Sequence, residues 1–221
     1  MRRSRRLPIC SASKVRVLLI GFGPFPGAPF NPSTVLVKAL ARRRRPALAD
    51  ILITTHILGT DYAVVDREIP KLFAAKPDIV LIFGLAGRRR HLCIETRARN
   101  AVSVLFPDAN GHRPTRGDIV PGGPAALRGI APFADLLGAL GGCPIPARLS
   151  RDAGRYLCNY TYWRTLERAR NGRPLVQFIH IPPLRFDPRP RRPPRRPLTS
   201  FRCLIAAAER LLIALIAASR R

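Results

Sequence analysis

The sequence predicts an α/β fold, built as one domain around a largely parallel, twisted central sheet. Three observations support this prediction. The chain has 221 residues and 47% hydrophobic content, enough to fill one sizeable core. Its short apolar runs are rich in β-branched residues and nearly continuous, as in strands that are buried on both faces of a parallel sheet. Stretches with helical spacing lie between these runs, and this alternation is typical of layered α/β domains.

Four apolar runs are the predicted strands, and they lie at residues 15–20, 51–57, 78–83 and 175–181. Two helices are predicted between the first three strands. The first covers residues 33–43, with Ser33 as its N-cap, and the second covers residues 61–75.

The second half of the chain shows weaker periodicity. Residues 106–142 are rich in Gly and Pro, which predicts mostly loop with a short helix over 133–140. A longer helix is predicted over 153–168, after Asp152 as its N-cap. Cys158 would then lie in the first turns of this helix.

One globular domain is expected over residues 15–219. Residues 1–14 are basic and rich in Arg and Ser, and we expect them to form a disordered extension. The Arg/Pro-rich tract at 182–197 should be extended and solvated. Helical spacing predicts an amphipathic C-terminal helix at about 200–218. No apolar run reaches the length of a membrane span, so no membrane partner is expected.

The formal net charge of +26 comes almost entirely from arginine. Such a charge would suit binding to nucleic acid or to another polyanion. The arginines fall in runs instead of alternating with aromatic residues, which favours a solvated basic surface. Non-specific binding of nucleic acid by a basic protein nevertheless remains a second hypothesis for the function. Nucleotide binding is not indicated, because the Gly-rich segment 21–27 lacks the lysine and spacing of a phosphate-binding loop.

The five cysteines form no CxxC pair and have no histidine at metal-ligand spacing. Neither a disulfide framework nor a metal site is indicated. A reducing, cytoplasmic compartment fits this pattern best.

Three residues are candidates for catalysis, and each also has an ordinary structural explanation. Cys158 lies near the start of a predicted helix, where backbone N–H groups stabilise a thiolate, yet a lone cysteine is more often a small buried apolar residue. His180 ends a strand at the edge where open α/β sheets bind ligands, although a lone histidine is usually structural. Glu95 could orient an imidazole, or it could simply pair with Arg97 or Arg99.

Five short motifs follow one another along the chain. They are Gly21-Phe22-Gly23-Pro24-Phe25 with Asn31-Pro32-Ser33, then Gly84-Leu85-Ala86-Gly87, Ile94-Glu95 with Ala98 and Asn100, Asp152-Ala153-Gly154 with Tyr156-Leu157-Cys158-Asn159, and Phe178-Ile179-His180-Ile181-Pro182. In order and spacing, over about residues 15–182, they resemble the pyrrolidone-carboxylate peptidases, also called type I pyroglutamyl peptidases. The sequence departs from the pattern of that family at residues 88–90, at Thr96 and at Arg151.

The resemblance implies an α/β/α sandwich with a Glu/Cys/His catalytic triad. The triad positions fall on Glu95, Cys158 and His180. The implied activity is hydrolysis of the N-terminal pyroglutamyl residue of peptides. The family is commonly a cytosolic homotetramer, and it works without metal or cofactor, so none is expected here.

The resemblance also suggests how the substrate is held. Phe22 and Phe25 fall on the aromatic residues that hold the pyroglutamyl ring, and Asn31 is a further substrate-binding candidate. A flat lactam ring suits an aromatic slot. A cysteine peptidase for a related lactam or N-acyl substrate is a third hypothesis, because the departures beside Glu95 could reshape the pocket.

Overall fold

A computed structural model of the protein describes residues 14–25, 28–169, 173–184 and 200–221. The strands are β1 (Val15–Phe22), β2 (Ile51–Leu58), β3 (Ile79–Leu85), β4 (Leu92–Glu95), β5 (Arg97–Arg99), β6 (Ala126–Arg128), β7 (Ala147–Ser150) and β8 (Leu175–Ile181). The helices are α1 (Pro32–Ala41), α2 (Tyr62–Ala74), α3 (Phe133–Ala139), α4 (Leu157–Arg168) and α5 (Phe201–Ser219), with a short 3-10 helix at Pro46–Leu48.

Six strands form the central sheet, in the order β2-β1-β3-β8-β4-β7. Strands β2, β1, β3 and β8 run parallel to one another. Strand β4 is antiparallel to β8, and β7 is parallel to β4. The sheet is therefore largely parallel, as predicted, with two short strands that run in the opposite direction. Strands β5 and β6 form a separate antiparallel pair.

Helices cover both faces of the sheet. One face packs against α1, α3 and α5 through a cluster that includes Leu36, Leu136 and Leu211. The other face packs against α2 and α4 through a cluster that includes Val65 and Trp163. Alternate residues of β1 enter the two clusters, as expected of a strand that is buried on both faces. The predicted single-domain α/β/α sandwich is confirmed.

Helix α1 begins one residue earlier than the sequence suggests. Its N-cap is Asn31, whose side-chain oxygen accepts a hydrogen bond from the Ser33 N–H at 3.2 Å. Pro32 occupies the first helical position, where a missing N–H costs nothing. The prediction of Ser33 as the N-cap is wrong. The Ser33 hydroxyl binds strand β1 instead, where it accepts a hydrogen bond from the Phe22 N–H at 2.9 Å.

Helix α4 begins later than predicted, at Leu157, and Tyr156 is its N-cap. Asp152 is not the cap, because its carboxylate accepts a hydrogen bond from the Gly154 N–H, 3.0 Å away, in a local turn. Gly154 has a φ of 87°, which lies outside the helical region and is readily adopted only by glycine. The helix therefore starts after this turn, and Cys158 is its second residue.

The sequence pattern does not predict strands β4 to β7, which have only three or four residues each. Runs of this length show no clear periodicity, and pairing with distant parts of the chain creates them.

Parts of the predicted terminal segments lie outside the described residues, namely 1–13 of the basic extension and 185–197 of the Arg/Pro-rich tract. In helix α5, the Ser200 hydroxyl accepts a hydrogen bond from the Cys203 N–H at 3.2 Å. In the described ranges, no helix combines the length and the apolar character that crossing a bilayer requires.

Candidate active site

The candidate residues meet at one edge of the sheet. Parallel strands end at the same edge, and here β1 ends at Phe22, β3 at Leu85 and β8 just beyond His180. Strand β4 runs past β8 in the opposite direction, and its register places Glu95 beside Phe178. This arrangement brings the Glu95 side chain to the His180 ring across two neighbouring strands.

Glu95 and His180 form a buried hydrogen bond. Nδ1 of His180 lies 2.8 Å from Oε1 of Glu95, and the two residues are 6% and 0% exposed. A carboxylate in this position fixes the tautomer and the orientation of the imidazole. It leaves Nε2 as the ring nitrogen that is open to another partner.

Cys158 supplies that partner. Its thiol is among the groups that raise the pKa of His180, and both side chains line the same cavity. Because Nδ1 binds Glu95, Nε2 is the nitrogen left for the thiol. Gly84 of β3 makes room for the sulfur, since a Cβ there would lie 3.0 Å from Sγ of Cys158 and 2.6 Å from the ring of Phe178. Gly84 is also the residue that pairs with His180 between β3 and β8.

The environment favours a charged imidazole. Burial opposes the charged form of His180, but its hydrogen bonds to Cys158 and Glu95, and the charges of these groups, outweigh burial and raise the pKa of His180 to about 9. At neutral pH, His180 can therefore keep a proton that it takes from Cys158.

Arg89 binds the same carboxylate from the other side. Its Nη1 lies 3.1 Å from Oε1 of Glu95, and its Nη2 donates to the backbone oxygen of Asp152 at 2.9 Å. Arg89 therefore links the acid of the candidate triad to the turn that precedes α4. Its side chain is 32% exposed, whereas that of Glu95 is fully buried.

The backbone of Glu95 is fixed by two further buried side chains. The Tyr162 hydroxyl and Nε2 of Gln177 each donate to the Glu95 carbonyl oxygen at 3.0 Å. Tyr162 comes from α4 and Gln177 from β8. The elements that carry Cys158 and His180 are therefore both bound to the residue that orients the imidazole.

Cys158 and His180 line a cavity of about 580 Å³. Phe22, Phe25 and Asn31 line it as well, so all the substrate-binding candidates lie beside the thiol. Phe22 packs against Phe178, with ring centroids 6.2 Å apart.

The amide of Asn31 is engaged by the protein. It donates to the Gly23 carbonyl at 3.1 Å, and its oxygen accepts from the Ser33 N–H and hydroxyl. These bonds hold Asn31 against Gly23, the residue that follows Phe22.

The larger cavity beside β2 lacks this chemistry. A cavity of about 690 Å³ lies beside β2 and is lined by Arg43, Arg44, Arg45 and mostly apolar residues, so it offers no nucleophile or base. Among the described residues, no group of three or more His, Cys, Asp or Glu side chains could hold a metal ion.

The sequence did not identify Arg89, Tyr162 and Gln177 as parts of the site. Arg89 lies in an arginine run that looks like solvated surface, and Tyr162 and Gln177 look like ordinary buried residues. No local signal separates them from their neighbours. Glu95 could be placed only through the resemblance. In the structure, its local alternatives bind elsewhere, Arg97 to the Arg151 carbonyl and Arg99 to Asp152.

Known proteins share this arrangement of sequence and fold. The sequence model of the family described as pyroglutamyl peptidase matches residues 15–190. The pyrrolidone-carboxylate peptidase of Clavibacter michiganensis subsp. michiganensis is 36% identical over 169 residues, which are 75% of this chain and 78% of that protein.

Solved structures agree with the sequence comparison. The pyrrolidone carboxyl peptidase of Thermus thermophilus superposes with a TM-score of 0.79 at 30% identity, over 90% of this chain and 99% of that one. A mutant pyrrolidone carboxyl peptidase from the hyperthermophile Pyrococcus furiosus gives a TM-score of 0.82 at 28% identity, over 92% and 99% of the two chains. With most of its length matched in both sequence and fold, the chain belongs to the pyroglutamyl peptidase family.

Proposed function

We propose that this chain is a cysteine peptidase that removes the N-terminal pyroglutamyl residue from peptides through a thioester at Cys158. The observation that supports it most is the grouping of Cys158 with His180, whose ring is hydrogen-bonded to Glu95, at the wall of a cavity that two phenylalanines also line. Membership of the family supplies the substrate class.

In the first half of the reaction, Nε2 of His180 takes the proton of the Cys158 thiol, and the thiolate attacks the pyroglutamyl carbonyl carbon. Among the described residues, no side chain caps the N-terminus of α4, so its first N–H groups are open to the oxyanion. When the tetrahedral intermediate collapses, the C–N bond breaks and His180 gives its proton to the leaving amine.

In the second half, His180 takes a proton from water, which attacks the thioester. The C–S bond breaks, free pyroglutamate leaves, and the proton returns to the Cys158 sulfur. Throughout both halves, Glu95 holds the imidazole in one tautomer and stabilises its charged form.

Recognition of the ring is assigned to Phe22 and Phe25. The apolar CH₂ groups of a five-membered lactam pack well against aromatic rings, while its N–H and C=O need polar partners. We assign Asn31 to the same recognition site. Its hydrogen bonds to Gly23 and Ser33 connect the end of strand β1 to the start of helix α1.

Hydrolysis of a chromogenic pyroglutamyl anilide tests the proposal. We expect Cys158→Ser to lower kcat/KM by at least about 1000-fold, because the hydroxyl is a far weaker nucleophile in this setting. Cys143→Ser is the matched control, since Cys143 is also a partly exposed free cysteine and does not line the cavity. Normal turnover by Cys158→Ser would rule the assignment out.

Selectivity separates this proposal from hydrolysis of related substrates. We expect the pyroglutamyl amide to be cleaved much faster than the prolyl amide, which lacks the ring carbonyl, and the glutaminyl amide, which lacks the ring. Similar rates for all three would exclude a lactam-specific site.

We further propose that the protein is a cytoplasmic homotetramer. The resemblance supports both parts of this proposal, and the four free cysteines among the described residues fit the reducing compartment. Light scattering during gel filtration measures the assembly directly. Non-specific binding to nucleic acid is a prediction from the net charge of +26, and retention on a polyanion that falls steeply with salt would support it.

A further inference from the structure

Arg88 is the one residue with a permanent charge among the described residues that line the catalytic cavity. No carboxylate lines this cavity in the same part of the chain, and His180 is its other ionisable nitrogen base. The permanent charge that the cavity presents to a substrate is therefore positive, and it comes from a single guanidinium.

The guanidinium of Arg88 is unoccupied by the protein. Arg88 is exposed, and within the described ranges its side chain makes no hydrogen bond or ion pair. The next residue behaves differently, since Arg89 turns inward and binds Glu95 and the Asp152 carbonyl. Of these two consecutive arginines, Arg89 makes a structural contact and Arg88 faces the open cavity.

The turn that carries Arg88 is bonded to strand β8, which carries His180. Along the sheet edge, β1 with Phe22 comes first, then β3, then β8 with His180. The proposed ring site lies at the β1 end, and the leaving amine must reach His180 to be protonated. Arg88 lies in the turn after β3, where the Ala86 N–H donates to the Ile181 carbonyl at the end of β8, 2.9 Å away, so this turn lies on the His180 side.

We infer that Arg88 selects pyroglutamyl peptides that carry a carboxylate on the residue after pyroglutamate. This inference rests on the proposed function, and it names the substrate class of the same site. A planar guanidinium matches a carboxylate with two parallel hydrogen bonds. The carboxylate is either an acidic side chain or the free C-terminus of a dipeptide.

Three peptides distinguish these two sources. Pyroglutamyl-glutamine amide is the neutral reference, pyroglutamyl-glutamate amide adds a side-chain carboxylate, and pyroglutamyl-glutamine adds a terminal carboxylate. For wild-type protein, we expect kcat/KM for at least one of the acidic peptides to exceed that of the reference by about two- to fivefold, the range of a partly exposed charge pair. The difference should lie in KM, and added salt should reduce it.

Variants of the arginine run assign the preference to one side chain. Arg88→Gln should bring the ratio of kcat/KM for the acidic and neutral peptides to about one. Arg88→Lys should keep part of the preference, because a lysine retains the charge but lacks the planar pair of donors of a guanidinium. Arg90→Gln is the matched control. Arg90 is exposed and belongs to the same run, but it does not line the cavity, so this variant should keep the wild-type ratio.

Two results would overturn the inference. One is that wild-type protein cleaves both acidic peptides with the same kcat/KM as the neutral reference, which would show that Arg88 forms no charge pair of the usual strength. The other is an equal loss of preference in Arg88→Gln and Arg90→Gln, which would assign the effect to the overall net charge. If wild-type protein cleaves none of the three peptides, the proposed function fails, and their dissociation constants then decide. Equal dissociation constants for the three peptides in wild-type protein would overturn the inference. Tighter binding of an acidic peptide in wild-type protein, lost in Arg88→Gln, would support it.

Discussion

Arg89 and His180 bind the same oxygen of the Glu95 carboxylate, at 3.1 Å and 2.8 Å. The carboxylate is fully buried, and a buried carboxylate needs compensation by charge or by hydrogen bonds. Arg89 provides a fixed charge, so that Glu95 is anchored whether or not His180 is protonated. A group in this position holds the acid of the proposed triad without touching the substrate.

Removal of Arg89 should therefore weaken catalysis by loosening Glu95. We expect Arg89→Gln to lower kcat/KM for a pyroglutamyl anilide by about 10- to 100-fold, the cost of a small misplacement in a catalytic group. A loosened Glu95 also supports the charged imidazole less, which lowers the pKa of His180, so the alkaline limb of the pH profile should move to lower pH.

Arg90→Gln is the control for Arg89→Gln. Arg90 is exposed, and among the described residues its side chain makes no hydrogen bond or ion pair, so its removal should change neither rate nor profile. If Arg89→Gln slows the reaction without moving the alkaline limb, Arg89 supports the folded structure and does not influence the pKa of His180 through Glu95.

The raised pKa of His180 predicts an alkaline limb in activity near pH 9. In the proposed mechanism the charged imidazole protonates the leaving amine, and this form is present below the folded pKa of about 9 and lost above it. The same shift stabilises the folded protein below pH 6.5, and this stabilisation disappears as the pH rises through about 9.

Glu95→Gln tests the cause of that shift. The variant removes a negative charge that raises the pKa of His180, so the alkaline limb of kcat/KM should move to lower pH, and the maximal rate should fall by at least about 100-fold. An alkaline limb that stays in place would mean that another group titrates there.

Strands β1, β3 and β8 were predictable from the sequence because each is largely buried on both faces and reads as one apolar run. Strand β2 was also found, but the expected burial on both faces is wrong for it, because it is the edge strand and three of its residues are exposed. The pattern at residues 175–181 matches β8 without error. In contrast, β4 has four residues and follows an arginine run, so its strand character depends on β8 and β7 beside it. Glu95, the last residue of β4, was hidden for the same reason.

The start of α4 shows a second limit of local patterns. An Asp before a helical stretch usually marks an N-cap, but at residue 152 the side chain closes a turn with Gly154. The choice between these two local bonds depends on the positive φ of Gly154, which the sequence does not specify. Arg89 is similar, since only the folded chain shows that its guanidinium reaches Glu95 and the turn before α4.

Gly84 is predicted to be needed for the placement of the Cys158 sulfur. Gly84→Ala would put a methyl group 3.0 Å from Sγ and 2.6 Å from the Phe178 ring, so one of them must move. We expect a loss of about 1–3 kcal/mol in the free energy of unfolding from overpacking, and a fall in kcat/KM of about 100-fold. Urea unfolding and the anilide assay measure the two effects.

Gly138→Ala is the matched control for Gly84→Ala. Gly138 lies within helix α3, and apart from its chain neighbours and the backbone of its own helix, no atom lies within 4 Å of an added Cβ. This variant should gain about 0.5–1 kcal/mol, because glycine disfavours a helix. If Gly84→Ala keeps wild-type activity, the close contact with the sulfur has no functional role.

Glu209 should hold the C-terminal helix to the rest of the domain. It is 6% exposed on α5, and Arg43 and Arg45 both bind its carboxylate across the fold. Burial opposes the charged form of Glu209, but these two hydrogen bonds outweigh it and lower the pKa of this carboxyl below its usual range. The contact is therefore an ion pair at neutral pH, with the acid more buried than its partners.

We expect Glu209→Gln to reduce the free energy of unfolding at pH 7 by about 1–2 kcal/mol, because two arginines lose their partner and the buried site keeps a weaker acceptor. A lowered folded pKa stabilises the protein above the usual carboxyl pKa, and this stabilisation is lost as the pH falls through the folded value. The difference between wild type and variant in urea unfolding should therefore shrink on acidification. Glu167→Gln is the control, since its pair with Arg164 is partly exposed and should contribute less than about 0.5 kcal/mol. Equal losses in the two variants at pH 7 would show that Glu209 is an ordinary surface ion pair.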